Sequence, residues 1–282
     1  NSLQSVGTGA GVGSTTAINS VYASMLFQSG GELYSADGKA ALLDSRESIN
    51  SFTTWTEFYT KYGFSPSIDF VTRFRLGSVP IAIMDISSYN SLSISAPEIN
   101  GKWSISLVPG TLQEDGTINS STCGCAEATV IFKSDSDREK KAWEFVKWWS
   151  STDVQAEFGQ TIQITYGDEY MWPTANMDAF MQLPWDSDHK EVIREFARNV
   201  VDVARVPGTY LLEREMSNAF NDIVVNGQNE QTRIDKAVKV INREIERKLE
   251  EFGYIDSNGN VIKEYKIPTI DSIKKLLGRE EQ

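Results

Sequence analysis

The residue types that could carry covalent or acid–base chemistry are few in this chain, apart from its carboxylates: two cysteines, one histidine and 39 Asp and Glu in 282 residues. Both cysteines fall in the stretch STCGCAEATVIF, where Cys123 and Cys125 are separated by a single glycine. Three uses are open to such a pair: a metal clip, a redox switch, or two small buried side chains. Zinc is poorly served, because Cys123, Cys125 and His189 supply three ligands at a spacing that matches no standard site. His189, in PWDSDHKEVIREF, sits at the start of a helical pattern, and no G-x-S-x-G elbow offers it a serine. It reads as an exposed residue of a first helical turn. The glycine run GTGAGVG (Gly7 to Gly13) lacks the strand-before and helix-after context of a phosphate loop. A glycosidase needs only two correctly spaced carboxylates, so a glycan-active hydrolase with two unidentified carboxylates stays as an alternative. No catalytic residue, metal ligand or cofactor site is assigned.

Aromatic residues in Gly/Pro-rich, loop-like settings point elsewhere. Tyr89 follows VPIAIMDISS, Trp172 and Asn176 lie in YMWPTANMDAF, Trp185 in QLPWDSD, and Tyr210 and Arg214 in VPGTYLLER. A flat ring covers the apolar face of a sugar, and Asn or Arg reads its hydroxyls; loops at the ends of rigid elements are where such groups gather. These six residues are the candidate ligand contacts.

The elements that must position them are α/β or α+β in kind. The length fits one large or two modest domains, and 40% hydrophobic with 11% aromatic residues can fill a core. A net charge of −12 argues against nucleic acid and anionic membrane surfaces as partners. No apolar run approaches the ~20 residues of a membrane span. Residues 1–19, rich in Gly, Ser and Thr without basic or apolar signal regions, read as a flexible lead-in or linker.

From Asp44 a capping box with Glu47 predicts a helix carrying Ile49, Phe52, Trp55, Tyr59 and Tyr62 on one face and stopping at Gly63. That stripe is read as core-facing rather than as a ligand platform. VPIAIMDI (79–86) predicts a strand buried on both faces, KWSISLVPG a half-buried strand, and EATVIF (127–132) a third. Helices follow: one with Ala142, Phe145, Val146 and Trp149 on a side, one capped by Thr152 and Gln155, one running to Pro207-Gly208, and one closing at Gly227. The clearest places Ile234, Ala237, Val238, Ile241, Ile245, Leu249 and Phe252 in one stripe with Gly253 at C′, opposite a solvated face of Lys236, Lys239, Arg243, Glu246 and Arg247. A hairpin around Asn258-Gly259 and a last helix from Asp271 to Leu277 end the chain.

Several ordered motifs resemble the family 1 extracellular solute-binding proteins of ABC importers, the maltose-binding-protein-like class. They are Gly30-Gly31-Glu32-Leu33-Tyr34, Asp37-Gly38 and Asp44-Ser45; Phe74, Gly77, Pro80 and Met84 in TRFRLGSVPIAIMDISSY; the tryptophan segment APEINGKWSISLVPG; SDREKKAWEFVKWWSSTDVQAEFG; and AVKVINREIERKLEEFG. The resemblance covers roughly residues 20 to 253.

It implies an α/β, periplasmic-binding-protein-like fold: the second lobe plus the C-terminal part of the first, with a helix-rich C-terminal half. Residues 20–253 form this region, with 125–158 returning to the first lobe, and 254–282 add a hairpin and helix. The implied function is the carbohydrate (oligosaccharide)-binding component of an ABC import system, as a C-terminal fragment of a longer solute-binding protein, without catalysis and working by lobe closure. Its partners would be an oligosaccharide or other small solute and the importer permease. It would be extracellular, tethered through a lipoprotein signal upstream of this chain, or periplasmic. Carried over by position, Tyr89 matches a stacking aromatic after a strand, Tyr210 and Arg214 a contact loop, and Trp172 and Asn176 an aromatic-x-Pro-Thr loop.

Family members begin with about a hundred residues of first-lobe structure, and nothing here corresponds to them. The resemblance therefore implies a fragment or a deletion, in which Trp143, Trp148 and Trp149 are partly exposed or packed against a missing first lobe or another copy of the chain. Such a chain is expected to bind ligand weakly or not at all alone. A structural or interaction module of a large surface protein is the third reading. At the crossing implied by the resemblance, Cys123 and Cys125 read first as small packing residues, with a strained disulfide as the alternative.

Overall fold

Helix-forming runs with polar caps and apolar stripes dominate the chain, and the strands between them are short. The computed structural model describes residues 6–8, 21–65, 69–84, 86–124 and 129–267. The elements run β1 (Val6–Thr8), α1 (Val21–Gln28), α2 (Arg46–Thr60), α3 (Phe70–Arg75), β2 (Ile81–Ile83), α4 (Ser87–Ser95), β3 (Thr111–Leu112), β4 (Ile118–Asn119) and β5 (Thr122–Gly124). Then come α5 (Ser136–Trp149), α6 (Thr152–Tyr166), α7 (Met177–Phe180), α8 (Ser187–Arg198), β6 (Val200–Asp202), α9 (Thr209–Val224) and α10 (Glu230–Glu251). They divide into two units. Unit 1 takes the chain up to residue 68, 110–125 and 201 onward; unit 2 takes 69–109 and 126–200.

In unit 1 the long C-terminal helix behaves as its pattern demands. Ile234, Ala237, Val238, Ile241, Ile245 and Leu249 are buried, while Phe252, one turn past the packed stripe, is 57% exposed. Gly253 (φ +73°) closes a Schellman cap: Tyr254 N–H donates to Leu249 O and Gly253 N–H to Glu250 O. Against α10 and α9 lies α2, whose Phe52, Trp55 and Tyr59 are buried, as expected of a core stripe; Tyr62, beyond the helix end, is exposed. The N-cap of α2 is Ser45, whose hydroxyl accepts from Ser48 N–H at 3.3 Å, and not Asp44, so the expected Asp44–Glu47 box does not form. A helix frame one residue later sets Ser48 three positions on, where Glu is needed for the reciprocal bond.

Helix α1 packs on α2 and carries the β3–β4 hairpin, which pairs antiparallel with Thr111 opposite Asn119 and Leu112 opposite Ile118. Gln28 ties the two: its amide donates to Ser121 O at 3.0 Å, and its carbonyl accepts from Thr111 Oγ1 at 2.9 Å. The chain then turns at Gly30-Gly31. A Cβ at Gly31 would sit 2.3 Å from Leu26 Cδ1, so only glycine lets the turn close on α1. The Asn258-Gly259 turn is present, with one antiparallel bridge between Ile255 and Val261.

Unit 2 departs further from expectation. VPIAIMDI yields only the three-residue β2, and its Ile81 is 64% exposed rather than buried on both faces. A short apolar run states that burial is affordable, not that a layer covers it. KWSISLVPG keeps its alternation, with Trp103, Ile105 and Leu107 half-buried and Ser104 and Ser106 exposed, but joins no ladder. Of EATVIF, residues 129–132 form no strand, and Val130 and Phe132 are 68% and 85% exposed. Helix α8 stops at Asn199 instead of running to Pro207, because the β-branched pair Val200-Val201 enters β6. The N-cap of α6 is Ser151; Gln155 donates to Trp149 O at 2.6 Å and so makes no capping box with Thr152.

Residues 6–8 of the stretch read as a lead-in form β1; the rest of 1–19, the expected helix Asp271–Leu277 and Cys125 lie outside the described residues. Cys123 lies in β5, its N–H donating to Ser24 Oγ at 3.1 Å.

Candidate functional site

The loop before α8 and the start of α8 gather four rings of unit 2, those of Tyr89, Trp103, Trp185 and His189. Asp186 caps the helix, accepting from the N–H groups of Asp188 and His189 at 3.0 Å each. Those bonds, the one from His189 first, hold the Asp186 carboxyl below its ordinary range. The cap fixes His189 in the first turn, and from there its ring reaches back under Tyr89 of α4.

Tyr89 is the hub. Its ring stacks on Trp185 (4.8 Å, 18°) and meets Trp103 and His189 edge-on at 5.1 and 5.4 Å. The His189 imidazole in turn lies flat against Trp103 at 5.5 Å and 22°. The Tyr89 hydroxyl and His189 Nδ1 share a 2.9 Å hydrogen bond, and Ser104 Oγ lies 3.4 Å from Nε2. Burial, and secondarily the charge of Asp186, pushes the Tyr89 phenol up, so it stays a neutral donor at physiological pH. Trp185 is buried on Phe180, Leu183 and Ile193, whereas Tyr89 and Trp103 are half-buried. Three polar atoms of this region, Asn90 Oδ1, Trp103 Nε1 and Trp185 Nε1, are buried without a partner. Next to them, the Asn90 amide donates to Met171 O at 2.7 Å.

Ser104, His189 and Asp186 superficially invite a hydrolytic reading. The geometry does not support it: Asp186 Oδ1 is 3.8 Å from Nδ1 and is committed to the helix cap, while Nδ1 bonds Tyr89. A triad base needs its orienting carboxylate on that nitrogen. What the cluster offers is rings, hydroxyls and an imidazole held in one place.

Of the six residues singled out by sequence, the structure brings Tyr89 and Trp185 into contact. Trp172 belongs to a second cluster, packed edge-on to Phe158 (5.0 Å) and tilted against Trp149 (5.9 Å). Asn176 caps α7: its carbonyl accepts from Ala179 N–H at 3.1 Å, and its amide donates to Ser150 O and Thr152 Oγ1. Tyr210 and Arg214 are exposed, one turn apart at the start of α9 in unit 1. Trp103, Ser104 and Asn90 were not singled out from sequence, and His189 is half-buried and hydrogen-bonded rather than exposed. The signal for Trp103 was present, since an alternating run places its ring on the inward side.

Tyr210 donates its hydroxyl to Glu244, which also takes two bonds from the Arg247 guanidinium. Arg247 first, and Tyr210 second, hold Glu244 at about 2 against an ordinary 4.5. A carboxylate favoured in the folded state contributes stability that is complete above 4.5 and is lost as the pH falls toward about 2. Tyr210→Phe is therefore expected to raise the midpoint of Glu244 in a carboxyl NMR titration and to move the acid unfolding limb to higher pH. An unchanged midpoint would show that the phenol does not hold this carboxylate.

The fold aligns with solved solute-binding proteins. It superposes on the cyclic α-maltosyl-1,6-maltose binding protein of Arthrobacter globiformis (TM-score 0.65, 14% identity, 86% of this chain and 60% of that one). It superposes similarly on the sugar-binding protein MalE of Xanthomonas citri (TM-score 0.63, 12% identity, 89% and 60%). A third is an ABC transporter solute-binding protein of Thermotoga lettingae bound with α-D-tagatose (TM-score 0.57, 19% identity, 85% and 59%). The fold is thus the α/β, periplasmic-binding-protein-like one, and the chain spans about three fifths of the length of these relatives. The chain belongs to the bacterial extracellular solute-binding protein family, whose model matches residues 5–166. No curated protein matches it. The family and the structural neighbours are binding proteins, and no described helix is long and apolar enough to cross a membrane.

Proposed function

We propose that the protein is the carbohydrate-binding component of an ABC import system, working outside the cytoplasmic membrane and delivering an oligosaccharide to a membrane permease. The observation that carries this reading is the cluster of Tyr89, Trp103, Trp185 and His189 in a chain of the solute-binding family. Half-buried rings of Tyr89 and Trp103 present flat apolar area to a sugar face, and Trp185 backs Tyr89 and fixes its plane. Hydroxyls and ring nitrogens beside those faces match a ligand that is apolar on its faces and polar at its edges. Solved relatives hold tagatose, ribitol, maltose and cycloalternan, which supports sugars and polyols as the class. Trp172 and Asn176 are proposed as flanking residues in unit 2, already engaged in packing and capping; Tyr210 and Arg214 are proposed as ligand contacts of unit 1.

Intrinsic tryptophan fluorescence titrated with maltodextrins, cyclic glucans, ketohexoses and alditols tests this. A saturable change is expected for at least one sugar, with a dissociation constant in the range of roughly 1 mM for the chain alone. Tyr89→Ala should weaken it about tenfold, ~1.4 kcal/mol, whereas Tyr89→Phe, which keeps the ring, should retain most of it. An equal loss in both variants, or a response that Tyr89→Ala leaves unchanged, overturns the assignment.

A further inference from the structure

His189 is the one histidine of the chain, and its side chain is only 13% exposed, so its ring nitrogens depend on the groups packed around them. Two hydroxyls from different segments face them: the Tyr89 phenol of α4 at 2.9 Å from Nδ1, and Ser104 Oγ at 3.4 Å from Nε2. Trp103, flat against the imidazole, and Tyr89, edge-on to it, hold the ring in that orientation. A neutral imidazole carries one N–H and one lone pair, so it cannot treat the two hydroxyls alike.

Counting hydrogens decides between the two tautomers. With the proton on Nε2, the Tyr89 O–H donates to Nδ1 and Nε2–H donates to Ser104 Oγ, and both ring nitrogens are satisfied. With the proton on Nδ1, that N–H donates to the Tyr89 oxygen and the phenol hydrogen is left over. Among the described residues no other acceptor is placed for it. Asp186 does not alter the count, because its Oδ1 is 3.8 Å from Nδ1 and already takes two helix N–H groups. A polar hydrogen left unpaired in a half-buried cluster is the costlier arrangement.

We propose that His189 is a positioning residue, held as the Nε2–H tautomer, that relays the direction of the Tyr89 hydroxyl to Ser104, and that Ser104 is a ligand contact presenting a hydrogen-bond donor. The contact rests on the sugar-binding reading of this cluster; the relay does not.

The consequence falls on Ser104, which is exposed and next in sequence to the half-buried Trp103. A free serine hydroxyl rotates to serve donors and acceptors alike. Here one lone pair of Oγ is taken by Nε2–H, so the hydroxyl hydrogen is turned away from the imidazole and stays available. In the other tautomer Ser104 would spend that hydrogen on Nε2 and offer only lone pairs. The difference matters for the ring and bridging oxygens of a glycoside, which have no hydrogen to give. Such an oxygen is held by a donor and refused by a bare lone pair, so the relay sets the polarity of the contact.

Long-range ¹H–¹⁵N correlation on the full chain tests the relay, since a single histidine gives a single pair of ring-nitrogen signals. In the neutral form, where the signals no longer move with pH, the proton is expected on Nε2. Tyr89→Phe should shift Nδ1, which loses its donor, and Ser104→Ala should shift Nε2, which loses its acceptor. A proton on Nδ1, or ring nitrogens indifferent to both variants, overturns the relay. The contact is read by fluorescence titration with maltose. Ser104→Ala is expected to weaken binding about three- to tenfold, the range of one hydrogen bond, while Ser104→Thr, which keeps the hydroxyl, retains it. His189→Gln, whose amide N–H can still donate to Ser104, should lose less affinity than His189→Leu. Maltose binding that Ser104→Ala leaves unchanged, or no maltose binding at all, overturns Ser104 as a maltose contact. The imidazole signals involve no sugar, so the relay stands or falls apart from the ligand assignment.

Discussion

Arg233→Ala is expected to destabilise unit 1 by roughly 3–5 kcal/mol, far more than the loss of an ion pair at a surface. Arg233 stands on α10, 5% exposed, facing α9. Glu215 and Asp222 on α9 are seven residues apart, two helical turns, and so share the face that α10 covers. The guanidinium bridges them: Nη2 donates to Glu215 Oε2 at 3.0 Å, and Nε donates to Asp222 Oδ2 at 2.6 Å. Removing it strands the Glu215 carboxylate, which is also buried and keeps only the Asn218 amide at 3.1 Å. Asp222 is different. Its carboxyl is held below the ordinary range chiefly by Arg233, but it is partly exposed and water would replace much of that bond. The cost therefore lies with Glu215. Arg233→Met combined with Glu215→Met should recover most of the loss, because the pair must first offset its own desolvation. Urea unfolding followed by tryptophan fluorescence measures both variants. A single-variant cost below about 1 kcal/mol would place the pair with weak surface bridges.

The balance of such a pair is not visible in the sequence. Arg233 precedes the buried stripe of α10 by one position and reads as one more charge on a charged helix. Only the placement of α9 shows that two acids meet it. By contrast, α10 itself was legible nearly to the residue, since a 22-residue helix repeats its period six times and closes at a glycine that can take positive φ. The short strands were not. VPIAIMDI and EATVIF carry no period beyond being apolar, and a buried strand and an uncovered segment then look alike. Their exposure follows from what covers them, which is a property of the other layers. KWSISLVPG falls between: period 2 fixed which side chains turn inward but could not say whether a ladder partner exists.

The same distinction governs the candidate site. Tyr89 and Trp185 stood out because rings in Gly/Pro-rich segments are displaced from helix stripes, and the structure stacks them on each other. Trp103 and His189 were missed for opposite reasons. Trp103 was absorbed into a strand pattern, and His189 into the polar first turn of α8, where Asp186 caps it. Nothing in either local pattern says that the two rings will stack, because they come from segments 86 residues apart. Asn176 shows the converse hazard. An Asn beside an aromatic in a loop is also what an N-cap requires, and its bonds to Ala179, Ser150 and Thr152 meet that need.

Trp55 separates core from platform most sharply among the aromatic residues of α2. It is 3% exposed and touches three rings: Phe220 at 4.4 Å, Phe52 at 5.5 Å and Tyr22 at 6.0 Å. Trp55→Ala opens a cavity at the junction of α1, α2 and α9, and is expected to cost about 3–5 kcal/mol. The indole carries a further liability, since its Nε1 is buried without a partner. An unsatisfied buried donor costs roughly 1–3 kcal/mol. Trp55→Phe gives up some volume but removes that donor, so the two effects oppose each other and a net change within about 1.5 kcal/mol is expected. Equilibrium unfolding by circular dichroism, which does not depend on the deleted fluorophore, compares the three proteins. If Ala and Phe proved equally costly, the indole N–H would have to be making a bond that stabilises the core. If both proved nearly neutral, the ring would not be packed as the structure places it, and a role for this face in binding would regain ground.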